Sequence, residues 1–379
     1  MNASEPLPMT RPTGAAADAI IEQINAAAYR IPLEQPHADG TLSWSAVTLV
    51  VVHLHAGDHT GLGYTYAPAG AARVIDDTLG DVVVGASAMD IGASWHAMAQ
   101  AVRNQGLSGP AAAAISAVDV AMWDLKARLL GVALAHLLQG YRPAVPVYGS
   151  GGFTNLSLEQ LEDQLTDWVQ QGLGAVKIKV GTDPTADPKR VAFARRIIGE
   201  DTGLFVDANG AYSRKQALAM AEEFSQYGVS WFEEPVSSDD VAGLHLLRNR
   251  GPAGMDITAG EYGWNMTHFR GLLAAEAVDC LQADVTRCGG ITGLLRVAAL
   301  CDAENIAVSA HCAPQISAHA MTGVWHGRHL EYFADHVYLE QLAFEGNLWP
   351  TNGLLQPDRY RPGHGLTLRE DAVASLRTY

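Results

Sequence analysis

Three short apolar runs, each closing on a carboxylate, limit what this chain can fold into. They are Val206-Asp207-Ala208-Asn209-Gly210, Trp231-Phe232-Glu233-Glu234-Pro235 and Ile257-Thr258-Ala259-Gly260-Glu261, and the interval between them is the length of one strand-loop-helix unit. A parallel barrel of such units gathers the C-terminal ends of its strands around one mouth, so acids distant in sequence meet there. Asp207, Glu233 and Glu261 would then supply an oxygen-rich site for a hard cation, and Mg²⁺ suits it best. One Asp after a strand reads equally well as a helix cap. Three in consecutive units read as a ligand set.

The remaining chain has the material for such a barrel and a second layer. It is 379 residues long, 48% hydrophobic and 17% charged, enough for one large domain with an accessory domain. Asp plus Glu at 41 against Lys plus Arg at 25 give a net charge of −16, a poor match for a phosphate backbone, so no nucleic-acid partner is expected. Cys280, Cys288, Cys301 and Cys312 contain no Cys-x-x-Cys pair and read as reduced thiols of a cytoplasmic protein. The opening 16 residues lack a signal-peptide core, and no run of about 18 apolar residues predicts a membrane span.

Taken in order, residues 15–28 read as a helical or extended lead-in. Residues 45–55 form a β-rich run that pairs with 62–66 across a turn at Gly57-Asp58, flanked by a loop over 33–44 and the segment 63–69. Residues 76–105 carry a helical pattern, and Gly109-Pro110 opens a long helix over 111–130 with Ile115, Val118, Ala121, Met122 and Leu125 on one face. Strands followed by helices without alternation describe an α+β cap. From 144 the rhythm becomes strand then helix, with strands at 145–148, 175–180, 204–206, 231–232, 257–258, 280–283, 307–309 and 329–330. The predicted architecture is a modified TIM barrel, (β/α)7β. An N-terminal capping domain spans 1–143, the barrel 144–350, and a tail over 351–379 returns to the cap.

Lys177-Ile178-Lys179 alternates, so both ammonium groups point into the barrel mouth, where a neighbouring cation would lower a lysine's pKa toward base strength. The alternative is a solvated pair on an edge strand. Asp284 ends the sixth strand and His311 the seventh; a carboxylate beside an imidazole fixes its tautomer and raises its basicity, making the pair a general acid/base. His311 alone would read as a hydrogen-bonded structural histidine. Glu331, on the eighth strand, reads either as a carboxyl kept protonated to donate a hydrogen bond or as the ion-pair partner of Arg328 or another barrel arginine.

Lys177-x-Lys179, Asp207-x-Asn209, Glu233-Glu234-Pro235, Gly260-Glu261, Asp284 before Arg287-x-Gly289-Gly290, and His311, taken together, resemble the mandelate racemase subgroup of the enolase superfamily. The stretch from Ala114 to Lys126 resembles that family's long helix before the barrel, so the resemblance covers nearly the whole chain. It implies one Mg²⁺ per subunit on Asp207, Glu233 and Glu261, with Glu234 as a carboxylate behind them. It implies Lys179 as base on one substrate face and His311, oriented by Asp284, as acid or base on the other. Lys177 would neutralise the substrate carboxylate and Glu331 would hydrogen-bond its far oxygen, while Ser150 and Asn209 match substrate-contacting positions. Glu at 261 and Asp at 284 argue against the muconate-lactonising subgroup, which needs a lysine from the sixth strand. A homo-oligomer, dimer to octamer, is also implied.

Removing a proton beside a carboxylate leaves a dianion, which calls for a divalent Lewis acid, a lysine and an acidic hydrogen bond. Two proton-transfer groups on opposite faces allow two outcomes. Protonation of a β-hydroxyl by His311 would release water from an acid sugar and give a 2-keto-3-deoxy acid, the activity that the resemblance implies. Return of the proton to the other face would make a racemase or epimerase. A non-catalytic carboxylate-binding barrel is a third reading, opposed by the intact Lys179, Asp284 and His311. Substrate identity is expected in the cap loops around 34–44 and 63–69, with Trp44, Tyr64 and Tyr66 as candidate pocket walls or ordinary packing residues.

Overall fold

The computed structural model describes residues 19–138 and 140–379, so the first four residues of the expected lead-in lie outside the described residues. β1 (Gln23–Ala38), β2 (Ser43–Ala56) and β3 (His59–Tyr66) form an antiparallel sheet in that order. The expected loop over 33–44 is mostly strand, and only 39–42 turn. Pro32 and Pro36 give the stretch its loop character, because proline cannot donate to a ladder. The strand absorbs them by a register shift between Pro32 and His37 and continues.

The helical pattern over 76–105 is interrupted: a helix with a π-helical stretch at Ile75–Leu79 covers 70–83, and after a break a separate helix runs Ile91–Ala101. The long helix Gly109–Leu129 packs on β3 and on the barrel helix Gly290–Ala303, which explains why it is Ala-rich and buried almost all round. Small residues allow the close approach: a Cβ on Gly63 would sit 2.0 Å from the Ala117 carbonyl oxygen.

Eight parallel strands follow, all where the sequence places them: β4 (Val145–Gly151), β5 (Ala175–Lys179), β6 (Gly203–Asp207), β7 (Val229–Glu233), β8 (Asp256–Ala259), β9 (Cys280–Ala283), β10 (Ala307–Ala310) and β11 (Gly327–Phe333). β11 pairs with β4 and closes the barrel. Its floor is a plug of Tyr148, Phe205, Trp231 and Cys280 with His329 against them, which keeps bulk water from the underside of the mouth. The tail adds Leu354–Leu355 antiparallel to β4 and then reaches the cap, where the Thr378 and Tyr379 amides donate to the Ala28 carbonyl. Buried Asp124 ties three layers together, accepting from the Leu62 amide at 2.9 Å, the His364 amide at 2.8 Å and Arg128 Nε at 2.7 Å. No helix among the described residues is long and apolar enough to cross a membrane.

Candidate active site

Strand register builds the site. Lys179 lies opposite Asp207 and Asp207 opposite Glu233 across adjacent strands, so their side chains leave the sheet at one level. Glu261 follows Gly260, whose φ of 131° only glycine adopts readily and where a Cβ would meet the Gln282 carbonyl oxygen at 2.2 Å. The carboxylate oxygens of buried Asp207, Glu233 and Glu261 converge within 4.8 Å of one another. Glu234, buried behind them at φ 36°, leaves Oε1 without a partner.

Both lysines point inward, as alternation requires. Lys177 Nζ donates to Glu233 Oε1 at 2.6 Å and meets Glu331 Oε1 at 2.8 Å, while Lys179 Nζ donates to Asp207 Oδ2. Burial would lower both lysines, but Glu233 and Glu331 around Lys177, and Asp207 beside Lys179, outweigh it and hold both above the usual range. The expected depressed lysine is therefore not what these contacts give. A cation held by the same acids would take up charge that now stabilises the ammonium, and so would lower both lysines. Burial and Asp207 push Glu233, which shares Lys177 with Glu331, up to about 7.

On the far side of the mouth, His311 Nδ1 lies 2.7 Å from Asp284 Oδ2 and Nε2 lies 3.0 Å from Glu261 Oε2. Burial opposes the charged imidazole, yet Cys312, Glu261, Glu331 and Asp284 together hold it well above the ordinary histidine value. Glu331 is neither the protonated donor nor the partner of Arg328. Arg328 pairs with Asp256, whereas Glu331 accepts from Ser150 Oγ at 2.6 Å and the Cys312 amide at 3.1 Å. Burial would raise Glu331, but Lys177 and His311 outweigh it and keep it ionised.

The mouth opens into a cavity of about 450 Å³. Lys179, Asn209, Glu261, His311 and Glu331 line it from the barrel, and residues 39, 42, 44, 46–48 and 66–68 from the cap. Lys177 and Ser150 lie outside its wall, behind Glu233 and Glu331. Sequence reasoning missed several wall residues. Arg287 Nη1 lies 3.6 Å from Glu261 Oε1 and Nε 3.5 Å from Asp284 Oδ2. Asp335 pins the cap, with Trp44 Nε1 donating to Oδ2 at 2.7 Å and His37 Nδ1 at 2.7 Å from Oδ1. The one hint of Asp335 in the sequence is its place just past the eighth strand.

Of the three aromatic candidates, Trp44 and Tyr66 line the cavity and Tyr64 does not. Tyr64 OH donates to Glu340 Oε1 at 2.5 Å, as Tyr66 OH does at 3.1 Å, and Glu340 Oε2 is unpartnered. Burial pushes Glu340 up to about 8 from 4.5. A folded-state pKa raised in this way contributes stability below about 4.5 that declines as pH rises and is gone past about 8. Glu340→Gln, which retains an acceptor for both hydroxyls, is expected to flatten that decline, with urea melts at pH 5 and pH 9 as the check. An equal pH dependence in both proteins would show that Glu340 is not its source.

A divalent cation fits the donor set. Six buried acids, Asp207, Glu233, Glu234, Glu261, Asp284 and Glu331, share this space with Lys177, Lys179, Arg287 and His311. Burial and the neighbouring acids Glu261 and Asp207 hold Glu234 well above the usual carboxylate range, and burial and Asp207 push Glu233 up as well, a crowding of carboxylates that a divalent cation would relieve. The "Mandelate racemase / muconate lactonizing enzyme, N-terminal domain" family matches residues 22–139, and the "Enolase C-terminal domain-like" family matches 160–372. The chain belongs to the enolase superfamily, in its mandelate racemase subgroup.

This mandelate racemase subgroup member is 34% identical over 369 residues to the 3,6-anhydro-alpha-L-galactonate cycloisomerase of Streptomyces coelicolor, across 94% of this chain and 99% of that one. A mandelate racemase/muconate lactonizing enzyme-like protein from Rubrobacter xylanophilus matches its structure with a TM-score of 0.93 at 49% identity, over 95% of this chain and 100% of that one. L-talarate/galactarate dehydratase from Salmonella typhimurium LT2, solved with Mg and L-lyxarohydroxamate, matches with a TM-score of 0.89 at 26% identity, over 99% and 97% of the two chains. The protein is an enzyme of this superfamily, a lyase or an isomerase, and Mg²⁺ is its cofactor.

Proposed function

We propose that this enzyme removes the proton α to the carboxylate of an acid sugar and dehydrates it to a 2-keto-3-deoxy acid. One observation carries the reading: Lys179 and the Asp284-oriented His311 border one cavity beside the acid cluster. Asp207, Glu233 and Glu261 would hold Mg²⁺, which supplies Lewis-acid stabilisation for the charge that grows on the substrate carboxylate. Lys179 Nζ takes the α-proton. His311, with Nδ1 fixed by Asp284, gives its Nε2 proton to the β-hydroxyl, and water leaves. Lys177 acts from behind Glu233 and Glu331 as fixed positive charge, and Glu234 lies behind the three acids as a further carboxyl group. Asp39, Thr48, Asn209 and Arg287 on the cavity wall offer hydrogen bonds to the hydroxyls of a polyol chain. Dehydratases for talarate/galactarate and arabinonate among the relatives support this class of substrate.

The racemase or epimerase reading keeps a specific argument of its own: proton-transfer groups approach from β5 and just past β10. Incubation with Mg²⁺ and a panel of acid sugars and 2-hydroxy acids in D₂O separates the two. Dehydration yields a keto-deoxy product, whereas isomerisation yields α-deuterated, stereochemically inverted acid. Neither product across a broad panel would overturn the proposal.

A further inference from the structure

The magnesium acids leave one cluster at the mouth without a ligand role. β10 ends at Ala310, and the chain then places Cys312 and Ala313 at φ 51° and 43°, a left-handed conformation that is strained for non-glycine residues. The consequence is local and specific. Cys312 Sγ lies 3.3 Å from His311 Nε2 and 3.3 Å from Glu331 Oε2, and His311 Nε2 lies 3.5 Å from that same oxygen.

We infer that His311, Cys312 and Glu331 form a second metal site, selective for a soft divalent ion such as Zn²⁺ or Cd²⁺, which inhibits the enzyme when filled. Zinc bonds of about 2.0–2.3 Å in a tetrahedron separate its ligands by about 3.3–3.6 Å, the spacing these three atoms already have. Each outer nitrogen or oxygen is also fixed. Asp284 holds His311 Nδ1 at 2.7 Å, and Ser150 Oγ and Lys177 Nζ hold Glu331 Oε1 at 2.6 and 2.8 Å, the second-layer contacts that orient metal ligands. All three ligands line the cavity, so the fourth position faces it and can take water.

The site shares no residue with Asp207, Glu233 and Glu261, and the two differ in chemistry. An all-oxygen set suits Mg²⁺, whereas a thiolate with an imidazole suits zinc and cadmium. Binding replaces the Cys312 thiol proton and the His311 Nε2 proton, both of which pass to solvent, and uses the Nε2 lone pair so freed. Glu261, 3.0 Å from Nε2, would have to turn away from it toward magnesium. Inhibition rests on the proposed role of His311 as proton donor; binding does not, so the two are measured separately.

Magnesium-saturated enzyme titrated with Cd²⁺ should bind one further ion and show the ultraviolet charge-transfer band of a cadmium thiolate. Cys312→Ser should remove the band and weaken binding by roughly 100-fold or more, leaving Cys280, Cys288 and Cys301 in place. Zn²⁺ inhibition of turnover should weaken in parallel. Should Cys312→Ser fail to fold, His311→Asn retains the thiol and should weaken Cd²⁺ binding comparably. Binding without a thiolate band, binding equally tight in either variant, or Cd²⁺ displaced by excess Mg²⁺ would overturn the site. A thiolate band with undiminished turnover would overturn the inhibition and leave the site standing.

Discussion

His311→Asn is expected to lower dehydration by roughly 10³-fold, near the middle of the range for losing a general acid. The replacement is chosen so that the fold tolerates it. Asp284 keeps the Thr286 amide and hydroxyl, both at 2.7 Å from Oδ1, and Glu261 keeps Arg287, so no buried acid is stranded. Lys179 is untouched on the other side of the mouth. Substrates that present their α-proton to it should therefore still exchange hydrogen for deuterium in the variant, at a rate no longer coupled to loss of water. The measurement is paired: keto-deoxy product by a colorimetric assay, α-deuteration by NMR on the same sample. Loss of both with an unchanged melting temperature would mean that His311 is also the base for that substrate. Full dehydratase activity in the variant would end the assignment of His311 as acid.

The meeting of Lys179 and His311 at one mouth was legible in the sequence for a simple reason. Strand alternation fixes which way a residue points, and the ends of parallel strands fix the level at which it emerges. Lys177-x-Lys179 and the three acids obey both constraints, so their convergence followed from spacing. The state of Glu331 was not legible, because it depends on Lys177, which comes from a strand far away in sequence and next but one around the closed barrel. Nor was the reach of β1, since prolines that usually end a strand are absorbed here by a bulge. Arg287, Cys312 and Asp335 sit in the turns after strands, where no periodicity constrains direction. Their traces were slight: Arg287 stood in a motif without a role of its own, Cys312 lay beside His311, and Asp335 came just past the eighth strand.

Glu261→Gln should show whether the acid cluster is the magnesium site or only a charge frame for the imidazole, because Glu261 stands in both. Its oxygens belong to the three-acid cluster, and Oε2 also lies 3.0 Å from His311 Nε2. Burial works against its charge, but His311 and Arg287 keep Glu261 well below the usual carboxylate range. Glutamine keeps the shape and removes the charge. Losing one of three buried charges that face a divalent ion should cost about 3 kcal/mol, on the order of 100-fold in the Kd for Mg²⁺ measured by calorimetry. Metal-free protein gives a second reading. Part of what raises His311 is Glu261, so the imidazole should titrate at lower pH in the variant when followed by NMR. By linkage, a raised histidine contributes stability that is full below its unfolded value and lost as pH rises through its folded value, so in the variant that loss should be smaller and complete at lower pH. A shifted histidine with unchanged magnesium affinity would place the ion elsewhere and leave Glu261 as a partner of His311 alone. A weakened ion with the histidine unmoved would confine Glu261 to the metal.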